Sequence, residues 1–176
     1  MDEKENIVEK AKKISKGWLE SLKTQGSITI NDPALAWCVI FLIHIYCSYV
    51  ANHILLDRNV TAILEDADNM LCVSAETIRE LIVAYKNKGF TTKRWKTCEE
   101  LIDSIENDYC VTILPLDKHI MQTYSELSLN EAQGHKDPSD HVIISHAITL
   151  GLPLISSDTR FPFYEKQGLK LIFNHK

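Results

Sequence analysis

The stretch from His135 to Phe161, HKDPSDHVIISHAITLGLPLISSDTRF, constrains the fold more than any other part of the chain. Asp137 before Pro138 has the form of a helix N-cap followed by a proline at the first helical position, which puts Asp140 in the first turn. Ile143, Ile144 and Ala147 recur at helical spacing and turn that helix inward. Gly151 closes it, and the apolar run Leu152 to Ile155 around Pro153 is that of a short strand buried on both faces. Ser156, Ser157 and Asp158 then stand at the strand's carboxyl end, where open parallel sheets bind ligands. Two acids, Asp140 and Asp158, converging there suggest a divalent-metal site. Taken alone, they read equally well as a helix cap and the opening of a turn.

The rest of the chain alternates strand and helix signals, the pattern of a parallel sheet covered on both faces. Strands are predicted at Val39 to Ile43, Leu71 to Val73, Val111 to Leu114, Leu152 to Ile155 and Lys170 to Phe173. Helices are predicted near 46–52, 57–68, 75–88, 97–107, 117–129 and 138–150. At 176 residues the chain fits one domain burying roughly 70% of its unfolded surface. Residues 1–37 form a separate N-terminal helical extension in this reading, with Ile7, Ala11, Ile14, Trp18 and Leu22 along one face, broken off by Gly26, Asn31, Asp32 and Pro33. Residues 38–176 form the domain.

A formal charge of −5 means that any nucleic-acid partner must be met by a local basic patch. The best such patch is KNKGFTTKRWK, where Lys86, Lys88, Lys93, Arg94 and Lys96 interleave with Phe90 and Trp95. Cations there would bind phosphates and the aromatics could stack bases; the plain alternative is a solvated helix end and loop. Five scattered cysteines with no CxxC pair fit a reducing cytosol, and the charged N-terminus lacks the apolar core of a signal peptide. The apolar run from Ala34 to Val50 is short for a membrane span and reads better as a buried strand passing into a buried helix. The expected location is cytoplasmic, with no membrane association.

Glu80 lies in the helix after the second strand, for which Ser74 is a plausible N-cap; it can reach a site shared with Asp140 and Asp158, though taken alone it reads more readily as a solvated partner for a Lys or Arg one turn away. Glu76, nearer the helix start, complements the helix dipole. Ser156 and Ser157 read as capping the turn after their strand, and His141 and His146 as surface or packing residues.

The segments VSAETIRELIVAYKNKG, VTILPLDKHI, HKDPSDHVIISHAITLGLPLISSD and LKLIFN together resemble the PIN domain, in particular the VapC-like toxins of bacterial toxin–antitoxin pairs. The resemblance covers roughly residues 38 to 174. It implies a three-layer α/β/α domain with a central parallel sheet of about five strands, and a metal-dependent endoribonuclease site built from three or four acids. Residue by residue it assigns Glu80, Asp140 and Asp158 as catalytic and metal-binding positions, with Asp137 as a cap. It implies Mg2+ or Mn2+ as cofactor, RNA as substrate, a cognate antitoxin as partner, and a homodimer among the assemblies it allows.

The first acidic position departs from the family pattern. LLDRNV would nominate Asp57, but leaves only about a dozen residues before the second strand. FLIHIY has the correct distance and puts His44 where the acid should be, and this alignment is preferred. A histidine removes charge and offers a softer nitrogen, which suits manganese better than magnesium. His44 therefore sets the enzyme against an alternative: a degenerate, catalytically impaired PIN domain that binds RNA or protein. A small nucleotide-binding domain is disfavoured because no glycine-rich phosphate loop follows any strand.

Overall fold

The computed structural model describes residues 38–41, 56–66, 68–87 and 95–175. The strands are β1 (Cys38–Phe41), β2 (Met70–Ser74), β3 (Thr112–Leu114), β4 (Pro153–Ser156) and β5 (Lys170–Phe173). The α-helices are α1 (Arg58–Glu65), α2 (Ala75–Lys86), α3 (Cys98–Asn107), α4 (Lys118–Glu126) and α5 (Pro138–Leu150), with 3-10 turns at Glu131–Gln133 and Phe161–Gln167. All strand pairs are parallel, in the order β3-β2-β1-β4-β5. Val39 lies beside Leu71, Ile40 beside Leu154, and Ile155 beside Ile172.

Alternation along the strands divides the core in two. Met70, Cys72 and Leu154 face a cluster with Ile143, Ile144, Phe161 and Tyr164, whereas Leu71, Val73 and Ile155 face one with Val60, Leu64, Ile78, Leu81 and Leu101. Helices therefore cover both faces, and the α/β architecture implied by the sequence is the one observed. The strand order carries the chain outward from β1 to β3, then back to β4 on the other side of β1. Ligand crevices in parallel sheets form at the carboxyl ends of strands around such a reversal.

The helix starts are fixed by their caps. Asp57, Ser74, Thr97, Asp117 and Asp137 each accept a backbone N–H of the first turn of α1 to α5 respectively. Gly151 ends α5 at φ 63°, a left-handed conformation that a side chain would resist, and so lets the chain drop directly into β4. Among the described residues no helix is long and apolar enough to cross a membrane. Apart from the Cys38–Phe41 strand, the predicted 1–37 extension, the 46–52 helix, His44, Lys88, Phe90, Lys93 and Arg94 lie outside the described residues.

Candidate metal centre

β2 passes without a loop into α2, because Ser74 both ends the strand and accepts the Glu76 N–H at 3.2 Å. The Ser74 hydroxyl also lies 3.0 Å from His146 Nδ1 on α5, deep in the interior. Burial pushes the His146 imidazole down to about 4, so it is uncharged near neutrality and serves to join the β2–α2 corner to α5. Arg79 on α2 donates to Glu76 Oε1 at 2.6 Å and to Ser139 Oγ at 2.7 Å, joining the first turns of α2 and α5. Asp137 accepts the Ser139 N–H at 2.9 Å and acts as the cap that its place before Pro138 suggested.

Three side chains project into the space this framework encloses. Asp140 enters from the first turn of α5, Asp158 from two residues beyond β4, and His135 from the loop before α5. Their ligand atoms all lie within 4.8 Å of one another. Glu80 approaches from α2, close enough for the charges of Asp140 and Asp137 to act on its carboxyl. Desolvation first, then Asp140, Asp137 and Glu76, push Glu80 up to about 7. Burial likewise raises Asp140, against the lowering effect of its hydrogen bond from His135.

Asp158 is the opposite case: the Arg160 guanidinium holds it below the usual carboxylate range. Arg160 Nε lies 2.9 Å from Oδ1 and 3.1 Å from Oδ2, its terminal nitrogen also contacts Oδ2, and its backbone N–H donates to Oδ1 at 2.8 Å. The same terminal nitrogen is 3.8 Å from Asp140 Oδ2. One guanidinium thus spans both acids. Ser156 Oγ accepts the Asp158 N–H at 3.0 Å, so it shapes the turn after β4 as a cap would.

The structure brings Asp140 and Asp158 together with Glu80 beside them. Asp57 is outside the group of His135, Asp140 and Asp158, with one carboxylate oxygen on the Val60 N–H at 2.8 Å and the other on the His175 N–H at 3.1 Å. His141 is 2% exposed and packs edge-on against His135, with ring centroids 4.6 Å apart. Both helix histidines are packing residues and neither is on the surface. Of the basic patch, Lys86 and Lys96 are exposed, and Tyr85 Oη donates to the Trp95 carbonyl at 3.0 Å. Trp95 packs against the core cluster beneath α2 and α3, beside a cleft of about 310 Å³ lined by Glu100, Asp103 and Asp108.

Sequence reasoning named neither His135, Tyr164 nor Arg160 as site residues. Arg160 carried a signal in its spacing, two residues after a strand-end acid. His135 had a weaker one, five residues before Asp140. Tyr164 had none, since its hydroxyl arrives through a turn that only tertiary packing brings back.

Fold and site together define a parallel α/β domain with an acid cluster at the carboxyl edge of its sheet. The sequence matches the PIN domain family over residues 48–167, well over half the chain. The chain belongs to the PIN domain family, as the resemblance of its motifs implied. No curated protein matches the sequence. Among solved structures, it is similar to VapBC2 from Rickettsia felis bound to a DNA fragment from its promoter, with TM-score 0.58, 17% identity, and 78% of this chain and 98% of that chain covered. VapBC-1 from nontypeable Haemophilus influenzae follows with TM-score 0.56, 20% identity, and 79% and 99% covered. FitAcB from Neisseria gonorrhoeae gives 0.52 and 21%, with 77% and 96% covered. At these identities the likeness is one of fold.

Proposed function

We propose that this chain is a divalent-metal-dependent endoribonuclease of the VapC type, the toxin of a toxin–antitoxin pair. The observation that supports the reading is the meeting of Asp140 and Asp158 beside His135 at the carboxyl edge, with Glu80 near enough for the Asp140 charge to act on it and both Glu80 and Asp140 pushed toward protonation, by burial first. Acids gathered in this way favour a cation among them, and hard carboxylate oxygens suit Mg2+ or Mn2+.

Asp140 and Asp158 would hold the ion, with Glu80 beside them and His44 as the residue contributed from beyond β1. A bound divalent ion supplies Lewis-acid stabilisation of charge on a phosphodiester and acidifies its bound water. Glu80, titrating near neutrality, is suited to hold or release a proton at its carboxyl oxygen. The exposed Lys86 and Lys96, with Lys88, Lys93 and Arg94, would meet the RNA phosphates. A cognate antitoxin is the expected protein partner, by analogy with the VapBC and FitAcB structures, and a homodimer is among the assemblies the family resemblance allows.

A second reading is favoured by a specific observation. Arg160 already neutralises Asp158, and with His44 at the first position the domain would bind RNA or protein without cutting it. Incubating purified chain with single-stranded RNA, in Mn2+, Mg2+ or chelator, separates the two. Metal-dependent cleavage lost in Asp140→Asn supports the enzyme. RNA retention without cleavage in either metal supports the binding module and overturns the nuclease.

A further inference from the structure

His135 is the residue whose chemistry the acid cluster alone does not explain. Its side chain is fully buried, enclosed by Phe161, Tyr164 and His141 at ring-centroid distances of 5.5, 5.6 and 4.6 Å. Nε2 lies 3.0 Å from Asp140 Oδ2, and Nδ1 lies 3.0 Å from the Tyr164 hydroxyl. That hydroxyl also accepts the Asn130 N–H, at 3.3 Å. The loop is closed by Gly134 at φ 64° and by the His135 N–H on the Asn130 carbonyl at 3.1 Å.

The direction of each hydrogen bond follows from what each atom can do. A backbone N–H only donates, so Asn130 occupies a lone pair of the Tyr164 oxygen. An ionised Asp140 only accepts, which puts a proton on His135 Nε2 and leaves Nδ1 as the acceptor for the tyrosine proton. The relay atoms from the Asn130 N–H through Tyr164 Oη and both His135 ring nitrogens to Asp140 Oδ2 are then all paired, while the neighbouring His141 Nε2 is buried with no hydrogen-bond partner. If Nε2 instead bound a cation, the ring proton would move to Nδ1 and point at the tyrosine oxygen. Among the described residues, the tyrosine proton would then have no acceptor inside a buried pocket, an arrangement that native structures avoid.

We propose that His135 is a positioning residue, not a ligand. Wired through Tyr164 to the Asn130 backbone, it fixes Oδ2 of Asp140 and leaves Oδ1 as the oxygen to receive a cation. This rests on the reading that Asp140 holds the ion. Among the described residues Oδ1 carries no hydrogen bond, while Oδ2 takes the His135 donor and the distant Arg160 contact. The geometry has the form of the outer-shell partners that orient metal-binding carboxylates, whose loss costs about 10–100-fold in metal affinity.

The test uses the full chain, with Mn2+ affinity read by calorimetry and the histidine tautomer read by 15N NMR. The expected spectrum shows His135 protonated at Nε2. His135→Leu should bind Mn2+ about 10–100-fold more weakly. His135→Gln, whose amide N–H reaches the same oxygen, should restore most of that loss. Tyr164→Phe, which keeps the ring and its packing, should weaken binding by a smaller factor and release the tautomer. A proton at Nδ1, wild-type affinity in His135→Leu, or failure of Gln to restore affinity in a protein with wild-type melting would each overturn the proposal. If wild type binds no Mn2+ while the Nε2 tautomer is present, the wiring stands and the metal reading of the site fails instead.

Discussion

Glu80 makes no hydrogen bond among the described residues, and burial first, then three other acids, push its carboxyl up to about 7. Its ordinary value, 4.5, applies in the unfolded chain. Between those values the folded state binds the extra proton, so Glu80 favours folding at low pH and withdraws that support as pH rises toward and past 7. Glu80→Gln should therefore melt higher than wild type at pH 8 and lose part of the decline between pH 5 and 7, in metal-free thermal scans. His146 works in the other direction. Lowered from 6.5 to about 4, it supports folding above 6.5 and withdraws that support as pH falls through 4. Removing Glu80's contribution should make this acid-side loss easier to see. Which acid would take the extra proton was not legible in the sequence: Glu80 was nominated by helix position, but its proton affinity depends on burial and on acids as far as 60 positions away, Asp140 among them.

At the scale of elements, the caps were the most legible features, since a cap is a local bond between residues two or three apart. Asp137 before Pro138 and Gly151 after Leu150 marked both ends of α5, and the observed helix begins and ends at the predicted residues 138 and 150. The helix at 118–126 stops short of the predicted 129, because Leu127 turns to an extended conformation and Ser128 bonds Gln167 across the chain. The 3-10 turn at 161–167 was not foreseen; its Phe161 and Tyr164 are fully buried, so long-range packing, not local propensity, shapes it. Asp57 shows the same limit in reverse. Its local motif resembled a strand-end acid, yet it caps α1. Asp57→Ala should cost about 1 kcal/mol in denaturant unfolding and leave Mn2+ affinity unchanged. A loss of Mn2+ binding in a folded variant would return Asp57 to the site.

For the molecule as a whole, the alternation of strands and helices sufficed for the architecture, because each buried strand needs helices on both faces. What alternation could not supply was the identity of the groups that meet at the carboxyl edge. If the acids bind a divalent ion, that ion links to folding. At one hundred times its dissociation constant it should add about 2.7 kcal/mol, raising Tm by roughly 5–10 °C for a chain of this size. Asp140→Asn should abolish the increment, and calorimetric scans with and without Mn2+ check it. An equal rise in the variant would place the ion elsewhere.

Arg160 alters what loading the site means. A guanidinium laid across Asp158 and within reach of Asp140 is a resident counter-ion, with which any cation held by these acids would compete. Arg160→Gln should tighten Mn2+ binding by on the order of tenfold, measured by the same titration; unchanged or weaker binding would show that the guanidinium does not compete. The chain can thus fold without presenting a bare pair of carboxylates. If the acids take an ion, its arrival would be an exchange with a threshold, set by the free ion level at which arginine lets go.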